Sequence, residues 1–316
     1  MSVHIKENLG KGLARIQTDL RPLFIAVEAF MEDIQEQFAA LQADVAIAGN
    51  YIHTERDADL SVTDATDLNS AVIKANTMKA DLNAHLSSTL YHRANDGANQ
   101  VNTDNADANA IIAALTALAN ELKTDYEGHR AMTQNGVHGV ADTANTVTSP
   151  NATNLTSAIT LLNELKADYE AHRQLTSGGV HGAADNTNSV SAGNATDFDS
   201  AVLLANTLKA KFEFHRVLTT SSVHGVADTS HAVTTSDAGI GQLGALANLI
   251  RDRFNSHRAY EGIHYNDDTN HEITASDAVD LASALTLLND ADDLINGHYG
   301  SAMTAVRPVI TLYVET

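Results

Sequence analysis

The sequence predicts an all-α fold built as a repeat array, either a solenoid or an elongated bundle of about seven helices. Composition is the first observation: 43% of the 316 residues are hydrophobic, tryptophan is absent and there are three prolines. Such a composition is typical of a helical protein. The second observation is a motif that recurs along the chain, and the third is helical spacing of apolar residues between its copies.

The recurring motif contains two histidines around a turn. Close copies are "HRAMTQNGVHGVADTANTV" from His129, "HRQLTSGGVHGAADNTNSV" from His172 and "HRVLTTSSVHGVADTSHAV" from His215. More distant copies begin at His85 and His257, and the series ends at residue 298, with successive first histidines 41 to 44 residues apart. Self-similarity at a fixed period indicates one supersecondary unit per repeat.

Each unit predicts one amphipathic helix that ends just past its first histidine. Large apolar residues recur three, seven and eleven positions before that histidine, as in Tyr169, Leu165 and Leu161, although Lys74 breaks the pattern. These steps mark one face of a helix. The helix starts are predicted in stretches such as "TDATDL" and "SPNATN". Because the first histidine continues the apolar register, it is expected on the core face.

Each loop carries a second histidine, and an aspartate follows it four residues later in all six copies. Three residues after the aspartate comes asparagine in some units and histidine in others, and then a β-branched run that indicates extended chain. A helix followed by an extended return segment would place successive helices side by side in the same direction. Up-and-down packing of alternate helices is the other arrangement that the sequence allows.

The two ends differ from the repeat, which divides the chain into three parts. Residues 1–50 form an N-terminal helical segment with an apolar helix over 23–48, residues 51–299 form the repeat array, and residues 300–316 form a C-terminal β-strand or tail. That strand either pairs with another subunit or folds back on its own chain. The termini are therefore the expected points of homo-oligomer or lattice contact.

Charge and cysteine content exclude several classes of protein. The formal charge of −21 and the pI near 4.9 exclude nucleic acid and anionic membranes as partners. No apolar run approaches the ~20 residues of a membrane span, and the start of the chain lacks a secretory signal. Without cysteine, disulfides, thiolate nucleophiles and cysteine zinc sites are excluded.

Metal binding and hydrogen-bonded His–Asp staples are the two interpretations of the loops. In each unit a helix histidine, a loop histidine and an aspartate, such as His172, His181 and Asp185, are expected to act together, bridged by a proton or by a zinc-like divalent ion. In two loops a histidine in place of asparagine supplies a fourth ligand. The candidate ligands are His129, His138, Asp142, His172, His181, Asp185, His215, His224, Asp228, His231, His257, His264, Asp268 and His271.

Catalysis is not expected from these loops. A Ser/His/Asp hydrolase would need Ser177 or Ser221, but the corresponding position in another copy is Thr133 or Gln134. Six equivalent active sites on one acidic chain would also be unusual. The sequence therefore predicts a protein that is not an enzyme and has no certain cofactor.

The combination "LNELKADYEAHR…GVHGAADNTNSVSAGNATDFDSA" resembles a repeat found in structural proteins of tailed bacteriophages. The resemblance covers residues ~50 to 299 and implies a capsid- or tail-associated decoration or fibre component. It also implies a virion location after synthesis in the host cytoplasm, with other virion structural proteins as partners. Independently, a repeat array without catalytic asymmetry indicates a rigid spacer. The alternatives are a metal-binding repeat protein, either a bacterial surface or extracellular array, or a metal-dependent enzyme.

Overall fold

The computed structural model describes residues 57, 58, 60–90, 92, 94–133, 136–260, 264 and 268–301, and the regular secondary structure of this part is helical. This part contains six α-helices and no β-strand: α1 Leu68–Ser87, α2 Ala108–Ala131, α3 Leu155–Arg173, α4 Phe198–Arg216, α5 Gln242–Arg258 and α6 Leu281–Gly300. The all-α class is therefore confirmed for these residues. Among these helices, none combines the length and apolarity that a membrane-spanning segment requires.

Two predicted elements lie outside the described residues. They are the N-terminal helix over 23–48 and the C-terminal strand, which would begin beyond residue 301. Both stay predictions.

The helices begin where the polar stretches predict. Asp67, Asn154, Asp197 and Asp280 are N-caps, and each exchanges hydrogen bonds with the serine three residues later in a capping box. At the other end, the carbonyl of the first histidine accepts a hydrogen bond from a backbone N–H just beyond, as His172 does from Leu175. The first histidines therefore lie in the last helical turns.

The predicted apolar register forms the core. The residues three, seven and eleven positions before each helix histidine are all buried, and so are the histidines themselves. Lys74 is buried as well, because its ammonium pairs with Asp292 at 2.7 Å and Asp64 at 3.3 Å. A buried charge is tolerated when such a partner offsets the loss of hydration.

The six helices pack as two closed groups of three. The continuous bundle consists of α2, α3 and α4, each packed on the other two, and the split bundle consists of α1, α5 and α6. Within each group the histidines at the helix ends lie side by side, so the three helices run in the same direction. The helices therefore do not form an open stack in sequence order, because α4 packs back on α2 and α1 packs on α5.

Non-helical return segments run back along each helix and are held by its side chains. The Asn163 amide oxygen accepts from Ala195 N at 2.7 Å, and its amide nitrogen donates to Ala195 O at 3.0 Å. The same two-bond pairing joins Asn76 to Ala106, Asn120 to Ala152, Asn206 to Ala238, Asn248 to Ala278 and Asn289 to Ala65. Side chains thus satisfy backbone groups that would otherwise need a neighbouring strand.

The last of these pairings shows how the split bundle closes. Asn289 belongs to α6, whereas Ala65 precedes α1, so the chain before the first described helix packs along the last one. A separate contact joins the two bundles at the starts of α4 and α6. There the Asp199 carboxylate accepts hydrogen bonds from the N–H groups of Leu281 at 2.9 Å and Ala282 at 3.0 Å. A carboxylate is favourable at that position because helix N-termini carry partial positive charge.

Candidate metal centre

The loops of the continuous bundle cross from one helix to the next. His172 donates from Nδ1 to Asp142 at 2.9 Å, and His215 donates in the same way to Asp185 at 2.9 Å. The third pair, His129 with Asp228 at 2.9 Å, joins the first helix of the bundle to the last loop. Each aspartate therefore bonds the histidine of its neighbour and closes a ring. The expected grouping of His172 with Asp185 is wrong for this reason.

Each loop aspartate is a buried hydrogen-bond acceptor. Asp185 accepts from His215 Nδ1 at 2.9 Å, Asn188 Nδ2 at 2.7 Å and Thr187 N at 2.9 Å. Burial alone would raise the pKa of Asp142 and Asp185, but hydrogen bonds from histidine, asparagine and backbone N–H groups outweigh it and hold both pKa values well below the usual range. These carboxylates are ionised and lie behind the imidazoles.

The loop histidines have a different Nδ1 partner. His138, His181 and His224 bond to the carbonyl oxygens of Met132, Leu175 and Leu218, each at 3.1 Å. Because a carbonyl only accepts, Nδ1 must carry the hydrogen, and in a neutral ring Nε2 is then an unprotonated lone pair. The same assignment applies to the helix histidines, whose Nδ1 atoms face carboxylate oxygens.

Six Nε2 atoms in the continuous bundle are buried and have no hydrogen-bond partner: those of His129, His138, His172, His181, His215 and His224. Burial is the main cause that lowers the pKa of all six rings, to about 4 for His138 and His215, about 3 for His181 and about 2 for His224. All six are therefore neutral at pH 7. Unpartnered buried acceptors are costly, so six in one place mark this cluster as a candidate ligand-binding site.

The six rings have the connectivity of an octahedron. Their centroids lie 4.7 to 5.4 Å apart in edge-on contacts, and every ring meets all the others except one. Among these six described rings, the pairs without contact are His129 with His181, His172 with His224, and His215 with His138. The helix histidines form one triangular face, and the loop histidines form the opposite face.

This arrangement fits a metal ion at its centre. Sets of three ligand nitrogens from these residues lie within 4.8 Å of one another. In an octahedron whose edges are the distances between ring centroids, each centroid lies about 3.3–3.8 Å from the centre, and an Nε2 atom that points inward lies roughly 1.1 Å closer, at about 2.4 Å, which is near the ~2.0–2.1 Å of a zinc–imidazole bond. The residues therefore supply six neutral imidazole ligands and no oxygen ligand.

Several predicted ligands lie outside this cluster. The aspartates Asp142, Asp185 and Asp228 bind the Nδ1 side of the rings instead. His231 and His271 donate to Asp228 at 2.8 Å and to Asp268 at 2.7 Å, the role that asparagine has in other loops. Their rings lie against Gly128 and Gly297, where a Cβ would overlap them. The proposed fourth ligand is therefore a structural partner of the aspartate.

The split bundle has a second histidine cluster. Its helix histidines pair with loop aspartates in the same way, His85 with Asp57 at 2.7 Å, His257 with Asp96 at 2.9 Å and His298 with Asp268 at 2.7 Å. These three helix histidines and the loop histidines His92 and His264 form the cluster. The centroids of the rings in contact lie 4.4 to 5.5 Å apart.

Three members of this cluster, His85, His92 and His298, were not among the candidate ligands, although the repeat register places them in equivalent positions. His53, the loop histidine of the first copy, lies outside the described residues.

The glycine of the "VHG" motif allows the loops to meet. Gly139, Gly182 and Gly225 donate from their N–H groups to Val180, Val223 and Val137 of the neighbouring loop, at 3.2, 3.3 and 3.2 Å. A Cβ on any of these glycines would overlap a carbonyl oxygen of that loop. The motif thus combines a buried valine, an inward-facing histidine and a glycine at a close backbone approach.

The chain matches no protein-family model, no curated protein and no solved structure.

A half-buried carboxylate on α2 leads to a pH prediction. Burial, followed by the charge of Glu121, raises the pKa of Asp125 to about 6, and its buried Oδ2 has no hydrogen-bond partner. A folded-state pKa above the unfolded one means that ionisation destabilises the fold as pH rises. We expect Asp125→Asn to stabilise the protein at pH 8 by about 1 kcal/mol, after allowance for solvent screening.

The gain should shrink as pH falls from about 6 towards 4, where both states of the wild-type carboxyl become protonated. Urea unfolding at pH 8 and pH 4.5 measures it. Asp290→Asn, which removes the same charge from an exposed helix position, is the control. A gain that grows with acidity, or one equal to that of the control, would contradict the prediction.

Proposed function

We propose that this chain is a non-enzymatic structural component of a bacteriophage virion, a rigid acidic spacer built as a repeat array. The observation that supports it is the ring of His–Asp bonds, in which each loop aspartate bonds the histidine of the neighbouring helix. The loop histidines and aspartates, which in the sequence look like catalytic residues, join neighbouring helices through these bonds. Such contacts between helices suit a load-bearing protein better than an active site that must admit substrate.

Closure into rings supports rigidity. In an open stack, the terminal units leave an apolar face to be capped. In the continuous bundle the last loop returns to the first helix, α2. There His231 bonds Asp228, and its ring lies against Gly128 of that helix. Moving one helix relative to the others would break buried hydrogen bonds at the same end of all three.

The virion assignment is supported by the resemblance of the repeat to structural proteins of tailed phages. The strong negative charge is compatible with a protein that does not bind the packaged genome. We further propose that the terminal segments attach the chain to other virion structural proteins or to further copies of itself. The spacer would then be made in the host cytoplasm and incorporated during assembly.

Gradient-purified particles of a phage that encodes this chain test the proposal. Mass spectrometry is expected to find the chain in the particles at a constant copy number, and labelled antibodies should place it on the capsid or tail by electron microscopy. A chain that remains free and monomeric in the lysate and is absent from particles would refute the virion role. Its recovery on the surface of uninfected bacteria would refute it too and favour a bacterial surface array.

Metal binding is the second candidate function. The specific observation in its favour is the cluster of six histidine rings in the continuous bundle, whose Nε2 atoms are buried and have no hydrogen-bond partner.

A further inference from the structure

We propose that the continuous bundle binds one divalent transition-metal ion, coordinated octahedrally by six imidazole nitrogens and by no carboxylate. The ligands are the Nε2 atoms of His129, His138, His172, His181, His215 and His224. This ligand set differs from a His–Asp zinc site in coordination number, donor type and ion class. The inference holds whether or not the chain is a virion protein.

The first step of the argument is geometric. The three helix histidines and the three loop histidines occupy opposite triangular faces, and the three pairs of rings without mutual contact are the opposite vertices of the octahedron. Hydrophobic packing alone does not explain a cluster of six rings whose Nε2 atoms are all buried and unpartnered. A ligand that accepts six lone pairs explains both the clustering and the missing hydrogen bonds.

The second step concerns the outer side of the rings. Every Nδ1–H has an acceptor, a carboxylate for the helix histidines and a backbone carbonyl for the loop histidines. Metal-bound histidines in proteins have such partners, which fix the tautomer and orient the ring. The aspartates Asp142 and Asp185 also place negative charge around a site whose direct ligands are neutral, and so compensate the charge of the ion.

The third step identifies the class of ion. Zinc in structural sites is almost always tetrahedral with four ligands. Calcium and magnesium select oxygen ligands, and copper(II) favours a square-planar or tetragonal environment. Imidazole ligands in an octahedron therefore favour Fe²⁺, Co²⁺ or Ni²⁺.

Six protein ligands also determine what such an ion can do. A catalytic metal keeps an open position for water or substrate, whereas here every position of an octahedron is taken by a side chain. The ion would instead tie three helix ends and three loops together at one point. Binding to the folded state alone stabilises that state, so the ion acts as a structural staple.

The test uses the full-length protein, stripped with chelator and reloaded with Co²⁺ as the probe. Elemental analysis gives the stoichiometry, and visible absorption gives the geometry, because octahedral Co²⁺ has weak bands and tetrahedral Co²⁺ has intense ones. X-ray absorption at the cobalt edge should show six nitrogen neighbours with imidazole scattering. These readouts on the unmodified protein need no variant to fold.

The variant His138→Ala/His181→Ala/His224→Ala removes one triangular face. We expect it to bind one equivalent of Co²⁺ fewer than the wild type and to lose the stabilisation that the ion confers at that site, with its helicity checked by circular dichroism. The matched control is His231→Asn, which removes a neighbouring histidine and installs the residue found at 145 and 188. The control should keep the full equivalent.

Three results would overturn the proposal. They are failure of the stripped wild-type protein to take up Co²⁺, Fe²⁺ or Ni²⁺, an intense tetrahedral spectrum with four near neighbours, and a folded triple variant that binds as much Co²⁺ as the wild type. None of these results bears on whether the chain is found in virions, so failure of the metal site and failure of the proposed function are distinguishable.

Discussion

Replacing Asp185 with alanine is expected to destabilise the folded protein by about 3–5 kcal/mol, because several buried donors lose their shared acceptor at once and each unsatisfied donor costs about 1–3 kcal/mol. The Asp185 side chain is almost fully buried and accepts hydrogen bonds from His215, Thr187 and Asn188. In the variant these donors remain in the interior without an acceptor. A buried donor without a partner loses its hydration and gains nothing in return.

Chemical denaturation of metal-free protein measures this effect, because chelator removes any contribution from bound ions. Asp237→Ala is the matched control, since the Asp237 carboxylate is 67% exposed and pairs with Lys209 at the surface. Exposed pairs contribute ~0–1 kcal/mol, so the control should unfold almost as the wild type does. A loss below about 1 kcal/mol for Asp185→Ala would show that the ring of His–Asp bonds does not support the fold.

The second large effect is expected from Gly182→Ala. A Cβ at Gly182 would overlap Ser222 O and lie 3.2 Å from Ser222 Cβ, so the two loops would have to separate. Overpacking of this kind costs ~1–3 kcal/mol. Separation would also weaken the hydrogen bond from Gly182 N to Val223 O, for a total of about 2–4 kcal/mol.

The control for this substitution is Gly193→Ala. Its Cβ would meet nothing within 4 Å, and Gly193 is not among the glycines with positive φ. Alanine there should be neutral or stabilise by up to ~1 kcal/mol, because it restricts the unfolded chain. Equal denaturation midpoints for the two variants would mean that the close approach of the loops is not required.

The elements that the sequence predicts well depend on local interactions. The burial of Tyr169, Leu165 and Leu161 follows from helical periodicity, and the capping box at Asn154 follows from a polar residue three positions before Ser157. The core position of the first histidine was also predictable, because it continues the same register. Partners within four residues along a helix are dictated by helix geometry alone.

The partners of the loop residues could not be predicted in the same way. His129 bonds an aspartate 99 residues away, and His257 bonds Asp96 across 161 residues. Sequence spacing within one unit suggested that His172 and Asp185 act together, whereas the contacts run between units. For the same reason the sequence predicts the carboxylates and His231 as metal ligands, whereas in the structure the carboxylates lie on the Nδ1 side of the rings and His231 bonds Asp228.

The sequence by itself therefore determined the six described helices, their buried faces, the histidine and aspartate of every loop and the glycine of the three loops in the continuous bundle, because these follow from local geometry repeated along the chain. Only the tertiary structure decided that the helices close in threes and that the chain of the split bundle is interrupted by the continuous one. It also decided that six imidazole rings with buried, unpartnered Nε2 atoms meet in one cluster. Those features depend on which equivalent unit each loop meets, and nearly identical repeats offer several partners whose choice is made by packing across long stretches of chain.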